Sequence, residues 1–245
     1  MKTISLFMFF PIMFFASFSA AQDQFESDII STSPAHLKIT FIAHATLLFH
    51  FNEKVIHVDP VSRYADYSKM PKADIILVTH DHGDHFDKKA LEQIKTPNTD
   101  LVLTETCAGQ IQNGIVMKNG DVKTVKGIEV KAVPAYNIVH KRANGEPFHP
   151  KGVGNGYVIT FGDKKVYIAG DTENIPEMKD LFGIDIAFLP MNVPYTMTPK
   201  MVTEAVKMFN PKILYPYHFG STNVNELVEL LKDKKDCEVR IRKMQ

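Results

Sequence analysis

Four side chains able to grip a metal ion fall within six residues: His80, His82, Asp84 and His85, in the run Thr79-His80-Asp81-His82-Gly83-Asp84-His85. The run comes directly after Asp74–Thr79, which reads as a buried apolar strand. Extended backbone places residues i and i+2 on one side, so His80 and His82 can hold one cation together. Gly83 is expected to turn the chain sharply, sending Asp84 and His85 toward a second position at the start of the next helix. Imidazole nitrogen and carboxylate oxygen suit a borderline divalent ion such as zinc. A solvated charged loop with a chance histidine run is the alternative; ligands aimed by a strand and a glycine argue against it. Thiolate ligation is excluded by number. The chain has two cysteines, Cys107 and Cys237, which we read as buried structural thiols.

The elements that must position these groups can be read from periodicity and turn signals. Short β-rich runs at Leu37–Ile42, Thr46–Phe51 and Val55–Asp59 precede the Asp74–Thr79 strand. A helix over Asp87–Lys95 and a strand at Leu101–Thr104 follow it. A second β-rich block comprises Val122–Val125, Ile128–Tyr136, Gly156–Phe161 and Lys165–Ala169, with turns at Lys126-Gly127 and Gly162-Asp163. Helices at Ile175–Phe182, Pro199–Phe209 and Asn223–Leu231 then alternate with strands at Ile184–Leu189, Ile213–Tyr217 and Glu238–Ile241. Thr198 before Pro199 is a helix cap followed by a favourable first helical residue. Two β-rich halves, each ending in strand–helix alternation, predict an α/β protein of sheets packed face to face with helices outside. No repeat, low-complexity tract or linker interrupts residues 37–245, so they are expected to form one domain, with residues 22–36 as a lead-in.

Lys2, the apolar run Ile4–Phe18 and the small residues Ser19-Ala20-Ala21 have the layout of a secretory signal peptide cut before Gln22. Residues 1–21 are therefore expected to be removed and the protein exported, to a periplasm or the medium. An uncleaved anchor is the alternative, although the run is short for a membrane span. No later segment reads as a span. With 28 basic residues against 28 acidic ones, there is no electrostatic case for nucleic acid or an anionic membrane as partner. An apolar fraction of 44% excludes wholesale disorder.

The pattern HxHxDH at His80–His85 after an apolar strand resembles the metal motif of the metallo-β-lactamase-fold hydrolases. The resemblance extends over almost all of the chain after residue 21. Phe41-Ile42-Ala43-His44-Ala45 and Val58-Asp59-Pro60 resemble early motifs of the branch that includes ascorbate-lactone hydrolases and N-acyl-phosphatidylethanolamine phospholipase D. Gly170-Asp171-Thr172 resembles the bridging-aspartate motif, and Tyr215-Pro216-Tyr217-His218-Phe219-Gly220 the segment giving the last histidine ligand. Four motifs in family order imply a single-domain, four-layer αββα sandwich carrying two divalent ions. Zinc is the first choice, with manganese, nickel or iron as alternatives.

Carried over position by position, the resemblance assigns His80 and His82 to one ion and Asp84, His85 and His218 to the second, with Asp171 bridging. A further histidine of the branch would stand at Asn137; His140 and His149 are the candidates to replace it. His149 sits at the return end of a hairpin, beside the departing end at Asn137, and Pro150 stiffens the backbone there, so His149 is expected over His140. Asp59 is expected to accept an N–H from a ligating imidazole. His44 is expected to line the site and bond substrate or a ligand carboxylate. Asn137 and Tyr195 belong beside the ligands or substrate, and Tyr136 and Tyr195 are candidate oxyanion donors.

Two ions would lower the pKa of a bridging water from about 15.7 toward neutrality, so that hydroxide attacks a carbonyl or phosphoryl centre. Asp84 and Asp171 are the catalytic carboxylates of this scheme, with Asp84 helping to protonate the leaving group. The expected protein is thus an exported metal-dependent hydrolase of a small ester, lactone or phosphodiester. Within the family, Asp171 argues against a true β-lactamase, and export and neutral charge argue against the RNA-cleaving members. A non-catalytic metal-dependent binding protein on the same fold is the alternative; turnover by the metal-loaded protein separates the two. Redox chemistry at a di-iron site would need a flavin-binding domain that is not read in this sequence.

Overall fold

Apolar–polar alternation along short runs, cut by tight turns, builds the molecule from strands. The computed structural model describes residues 24–244; the expected export segment lies outside them. One sheet holds, side by side in chain order, β1 (Ser27–Ile30), β2 (Leu37–Ala43), β3 (Thr46–Phe51), β4 (Lys54–Val58), β5 (Ile75–Leu77), β6 (Asp100–Leu103) and β7 (Ile115–Val116). The other holds β8 (Val122–Val125), β9 (Ile128–Ala135), β10 (Gly154–Phe161), β11 (Lys164–Ile168), β12 (Ile186–Pro190), β13 (Ile213–Tyr217) and β14 (Glu238–Val239), again in chain order. In each sheet the first three pairings are antiparallel and the last three parallel. The same topology is therefore used twice, although the sequence carries no repeat.

Between the sheets lies an aromatic core. Phe41 of β2 and Phe49 of β3 meet Tyr215 of β13 and Phe161 of β10 at ring separations of 4.9 and 5.5 Å, and Phe188 of β12 stacks on Tyr215 at 5.0 Å. All five rings are buried; truncating one such ring in a packed core costs about 3–5 kcal/mol. Helix α1 (Lys88–Ile94) covers the outer face of the first sheet through Ala90, Leu91 and Ile94, and the short α2 (Glu105–Ala108) adds Cys107. Helices α3 (Pro199–Phe209) and α4 (Val224–Leu231) cover the second sheet; Phe209 meets Tyr167 edge-on at 5.6 Å. The result is the four-layer αββα sandwich. Both cysteines are free and buried.

Helix α3 begins where its signals place it: Thr198 accepts the Met201 N–H at 3.1 Å and Pro199 opens the first turn. The expected helix at 175–182 is instead a five-residue 3-10 turn, Pro176–Asp180, burying only Met178, which leaves no amphipathic face to stabilise an α-helix. Three short elements, β1, α2 and β7, carry no sequence signal; each is four residues or fewer, too short to show a period. Gly83 sits in the expected turn, but the turn does not require a glycine there. The residue is not in the left-handed region, and a Cβ there would touch nothing. The turn is made by the His85 and Phe86 N–H groups, which donate to the His82 carbonyl at 3.0 and 2.8 Å.

Candidate metal centre

The parallel strands of both sheets end at one rim, and the groups singled out from sequence are gathered there. Asp59 follows β4, Thr79 and His80 follow β5, Asp171 follows β11, His218 follows β13, and His44 occupies the turn between β2 and β3. The backbone is forced into place at several of these points. His44, Asp59 and His218 have φ of 56°, 45° and 46°, a costly region for residues other than glycine that concentrates at functional sites. The His218 N–H donates to the His44 carbonyl at 2.8 Å, fastening the two strand ends together. Gly170, with φ of 65°, is required before Asp171: a Cβ would lie 2.9 Å from the Asn155 carbonyl oxygen and 3.2 Å from the Thr79 Cβ.

Two groups of ligand atoms form around Asp171. His80, His82 and His149 make one, and Asp84, His85 and His218, with His44 beside them, make the other; within each the ligand atoms lie within 4.8 Å of one another. Asp171 Oδ2 is 3.2 Å from His149 Nε2, 3.9 Å from His80 Nε2 and 3.3 Å from His218 Nε2, while its Oδ1 is 3.3 Å from His85 Nε2. His149 Nε2 is also 3.2 Å from His82 Nδ1, and His218 Nε2 is 3.7 Å from Asp84 Oδ2. The Nε2 atoms of His80, His85 and His218 and Oδ1 of Asp171 are buried without a well-formed hydrogen bond. Each such orphan costs about 1–3 kcal/mol, a penalty that a coordinated cation removes. The donor set fits divalent ions, and the placement of Asp171 between the groups fits a shared ligand.

The outward-facing nitrogens of these imidazoles are fixed from behind. Asp59 Oδ2 accepts from His85 Nδ1 at 2.8 Å, and the same carboxylate takes the Thr79 N–H at 2.8 Å and hydroxyl at 2.7 Å. With its proton committed to Asp59, Thr79 Oγ1 is an acceptor for His80 Nδ1 at 3.0 Å. Both rings thereby present Nε2 to the centre. Asn137 does the same for His149: its Oδ1 accepts from Nδ1 at 2.7 Å and from the His149 backbone N–H at 2.9 Å. His149, not His140, is brought into the cluster. His140 Nδ1 lies 2.8 Å from Glu173 Oε1, outside both ligand groups.

Glu173 was not singled out from sequence. Its carboxylate, 1% exposed, accepts the N–H groups of Ile138, Val139 and His140, each at 2.7 Å, and the Asn137 amide at 3.2 Å. Burial pushes this carboxyl up, but the Val139, His140 and Ile138 donors outweigh it and hold it below its ordinary range. Acidity at the centre follows the same competition. Burial alone would neutralise Asp171 and Asp84, yet the imidazoles of His218 and His85 around the first, and His218 and His44 around the second, keep both well below the carboxylate range. His80 is driven well below its usual value by burial and by His85. His218 is lowered by burial but raised further by Asp171 and Asp84, to about 9. Two ionised carboxylates among imidazoles form a sink for positive charge.

The cluster opens into a pocket of about 420 Å³ lined by His82, Asp84, Asp171 and His218 on the floor and by Arg142, Phe148, Asn192 and Tyr195 around the mouth. His44 Nε2 lies 3.1 Å from Asp84 Oδ2, matching its expected contact with a ligand carboxylate. Tyr195 reaches the mouth, 45% exposed, while its carbonyl accepts the Asn137 amide at 2.9 Å. Tyr136 does not line this pocket: its hydroxyl donates to Glu177 at 2.9 Å and receives Lys151 at 3.3 Å. Arg142, Phe148 and Asn192 carried no sequence signal, because only the folded loops bring them to the rim.

Two packed seven-stranded sheets with a histidine–carboxylate cluster at their common rim define a metallo-β-lactamase-fold protein. A β-lactamase superfamily domain profile matches residues 38–218, and the chain belongs to that superfamily as one of its metal-dependent hydrolases. It is 31% identical over 197 residues to a UPF0173 metal-dependent hydrolase of Pelotomaculum thermopropionicum, spanning 76% of this chain and 85% of the relative. A crystallised protein of Parabacteroides distasonis is 50% identical, with a TM-score of 0.86, over 90% of this chain and 100% of that one. Igni18, a metallo hydrolase of Ignicoccus hospitalis, shares the fold at 22% identity with a TM-score of 0.69, over 84% of this chain and 94% of its own.

Proposed function

We propose that this hydrolase works with two divalent ions, zinc first among the candidates, to cleave a small ester, lactone or phosphodiester. His80, His82 and His149 would hold one ion, Asp84, His85 and His218 the other, and Asp171 both. The observation that carries this reading is the pair of buried ligand groups sharing Asp171 at the floor of an open pocket. When bound, the ions would supply Lewis acidity and lower the pKa of water from about 15.7 toward neutrality. Asp84, which would help hold one ion and is 35% exposed toward the pocket, is the carboxylate placed to orient the attacking water and to pass a proton to the leaving oxygen. His44 holds Asp84 in place from 3.1 Å, and Asp59 and Asn137 keep the ring nitrogens of His85 and His149 turned inward. Among the described residues that line the pocket there is no serine or cysteine, which agrees with attack by water rather than by a side chain.

We also read residues 1–21 as an export segment, on the order charge, apolar run, small residues; N-terminal sequencing that finds Gln22 first supports this, and Met1 retained opposes it. The activity is tested by assaying metal-loaded protein on lactone, thioester and bis(4-nitrophenyl) phosphate substrates with and without chelator. Turnover abolished by chelator and restored by metal is expected. Two bound ions with no turnover of any of them would instead support a binding protein.

A further inference from the structure

We propose that Arg142 is the anion-recognising group of the pocket and that the substrate is a small ester or lactone bearing a carboxylate or phosphate on an apolar body. The inference rests on the hydrolase reading above and adds to it the chemical class of substrate. Arg142 lines the pocket mouth and, among the described residues, is the one permanently cationic side chain to do so. Its guanidinium lies over the Phe148 ring, 5.0 Å from the centroid, and Nη2 donates to the Phe148 carbonyl at 3.3 Å. Among the described residues no ion pair of Arg142 is formed, and that single bond leaves most of its five N–H donors for a ligand. The planar fork matches a carboxylate or phosphate two bonds at a time.

The loop does not leave Arg142 to wander. Its N–H donates to the Glu146 carbonyl at 2.7 Å, its own carbonyl accepts from Gly145 at 2.9 Å, and Lys141 bridges to Pro147. This small hairpin sits on the segment between Asn137 and His149, so the same loop that presents His149 to the floor presents Arg142 to the rim. Across the mouth, Phe148 and Tyr195 pack edge to face at 5.0 Å, offering an aromatic wall to the part of a substrate between its anion and its scissile bond. Charge agrees with this. Two divalent ions against the carboxylates of Asp84 and Asp171 would leave the floor positive, and Arg142 would extend that sign to the entrance.

The test uses the metal-loaded protein and a matched series: 4-acetoxybenzoate, 4-acetoxyphenyl phosphate and the neutral methyl 4-acetoxybenzoate. An anionic ester is expected to exceed the neutral one in kcat/KM by about tenfold or more, chiefly through KM, and Arg142→Gln is expected to collapse that ratio toward one. Whichever of the two anions is preferred identifies the group. Calorimetric titration with 4-hydroxybenzoate gives a readout without turnover: binding is expected to weaken about tenfold or more in Arg142→Gln and to recover in part in Arg142→Lys. Turnover of charged and neutral esters at equal efficiency, or 4-hydroxybenzoate bound equally by wild type and Arg142→Gln, would overturn the inference while leaving the hydrolase reading intact. Arg142-dependent binding with no ester turned over would uphold Arg142 as the anion-recognising group, overturn the ester or lactone class, and count against that reading.

Discussion

At the scale of single residues, the departure at Asn137 explains itself. The family resemblance calls for a histidine ligand there; the chain instead places an amide that accepts the His149 Nδ1 proton and turns Nε2 toward Asp171. The expected consequence is that His149→Ala purifies with about one ion fewer per chain, while His140→Ala keeps the full complement, as read by plasma mass spectrometry. Metal lost with His140→Ala alone would contradict this assignment. The cluster His80–His85 was legible because its candidate ligands fall within six residues directly after one strand. His149 was legible only through the hairpin argument, and Glu173 was not legible, because its partners are mainly backbone N–H groups, which any sequence supplies. The turn at Gly83 was legible, although the His82 carbonyl closes it in ordinary backbone that does not need a glycine.

At the scale of elements, strand ends do the positioning. Most of the strands themselves were legible, since β3, β8, β13 and α3 have the bounds read from their periodicity and turn signals. The loop from Asn137 to Val153 was legible as the connection that returns His149 to Asn137, but not in the course that also brings Arg142 to the pocket. Its departure from β9 is held by the four donors converging on Glu173. Replacing Glu173 by Gln removes the charge that these donors stabilise. The metal site that includes His149 is expected to weaken by about 10–100-fold, with the other site retained, in titrations of demetallated protein. Equal loss at both sites would show that Glu173 supports the fold at large and not this loop.

At the scale of the whole molecule, the first and last segments are tied across the two sheets. Asp28 on β1 bonds Arg242 at 2.6 Å and Arg240 at 3.3 Å, and accepts from the Tyr215 hydroxyl. Burial pushes the Asp28 carboxyl up, but Arg242, Tyr215 and Arg240 outweigh it and leave it lowered. A carboxyl depressed on folding contributes stability above its unfolded value, about 3.9, and loses it as pH falls through the folded one. Asp28→Asn is therefore expected to destabilise by about 1.5–3 kcal/mol at pH 7, with the gap to wild type closing below about pH 4 in denaturant melts. A gap independent of pH would remove the ionic part of this explanation. None of the clasp was legible, because its partners lie more than 180 residues apart and β1 is too short to announce itself. The central claim, that two neighbouring ligand groups sharing Asp171 hold two ions, is tested most directly by the metal content of the purified full-length protein. Two equivalents of a divalent metal per chain, falling on Asp171→Asn, is the predicted result; less than one equivalent, after incubation with excess zinc and desalting, would contradict it.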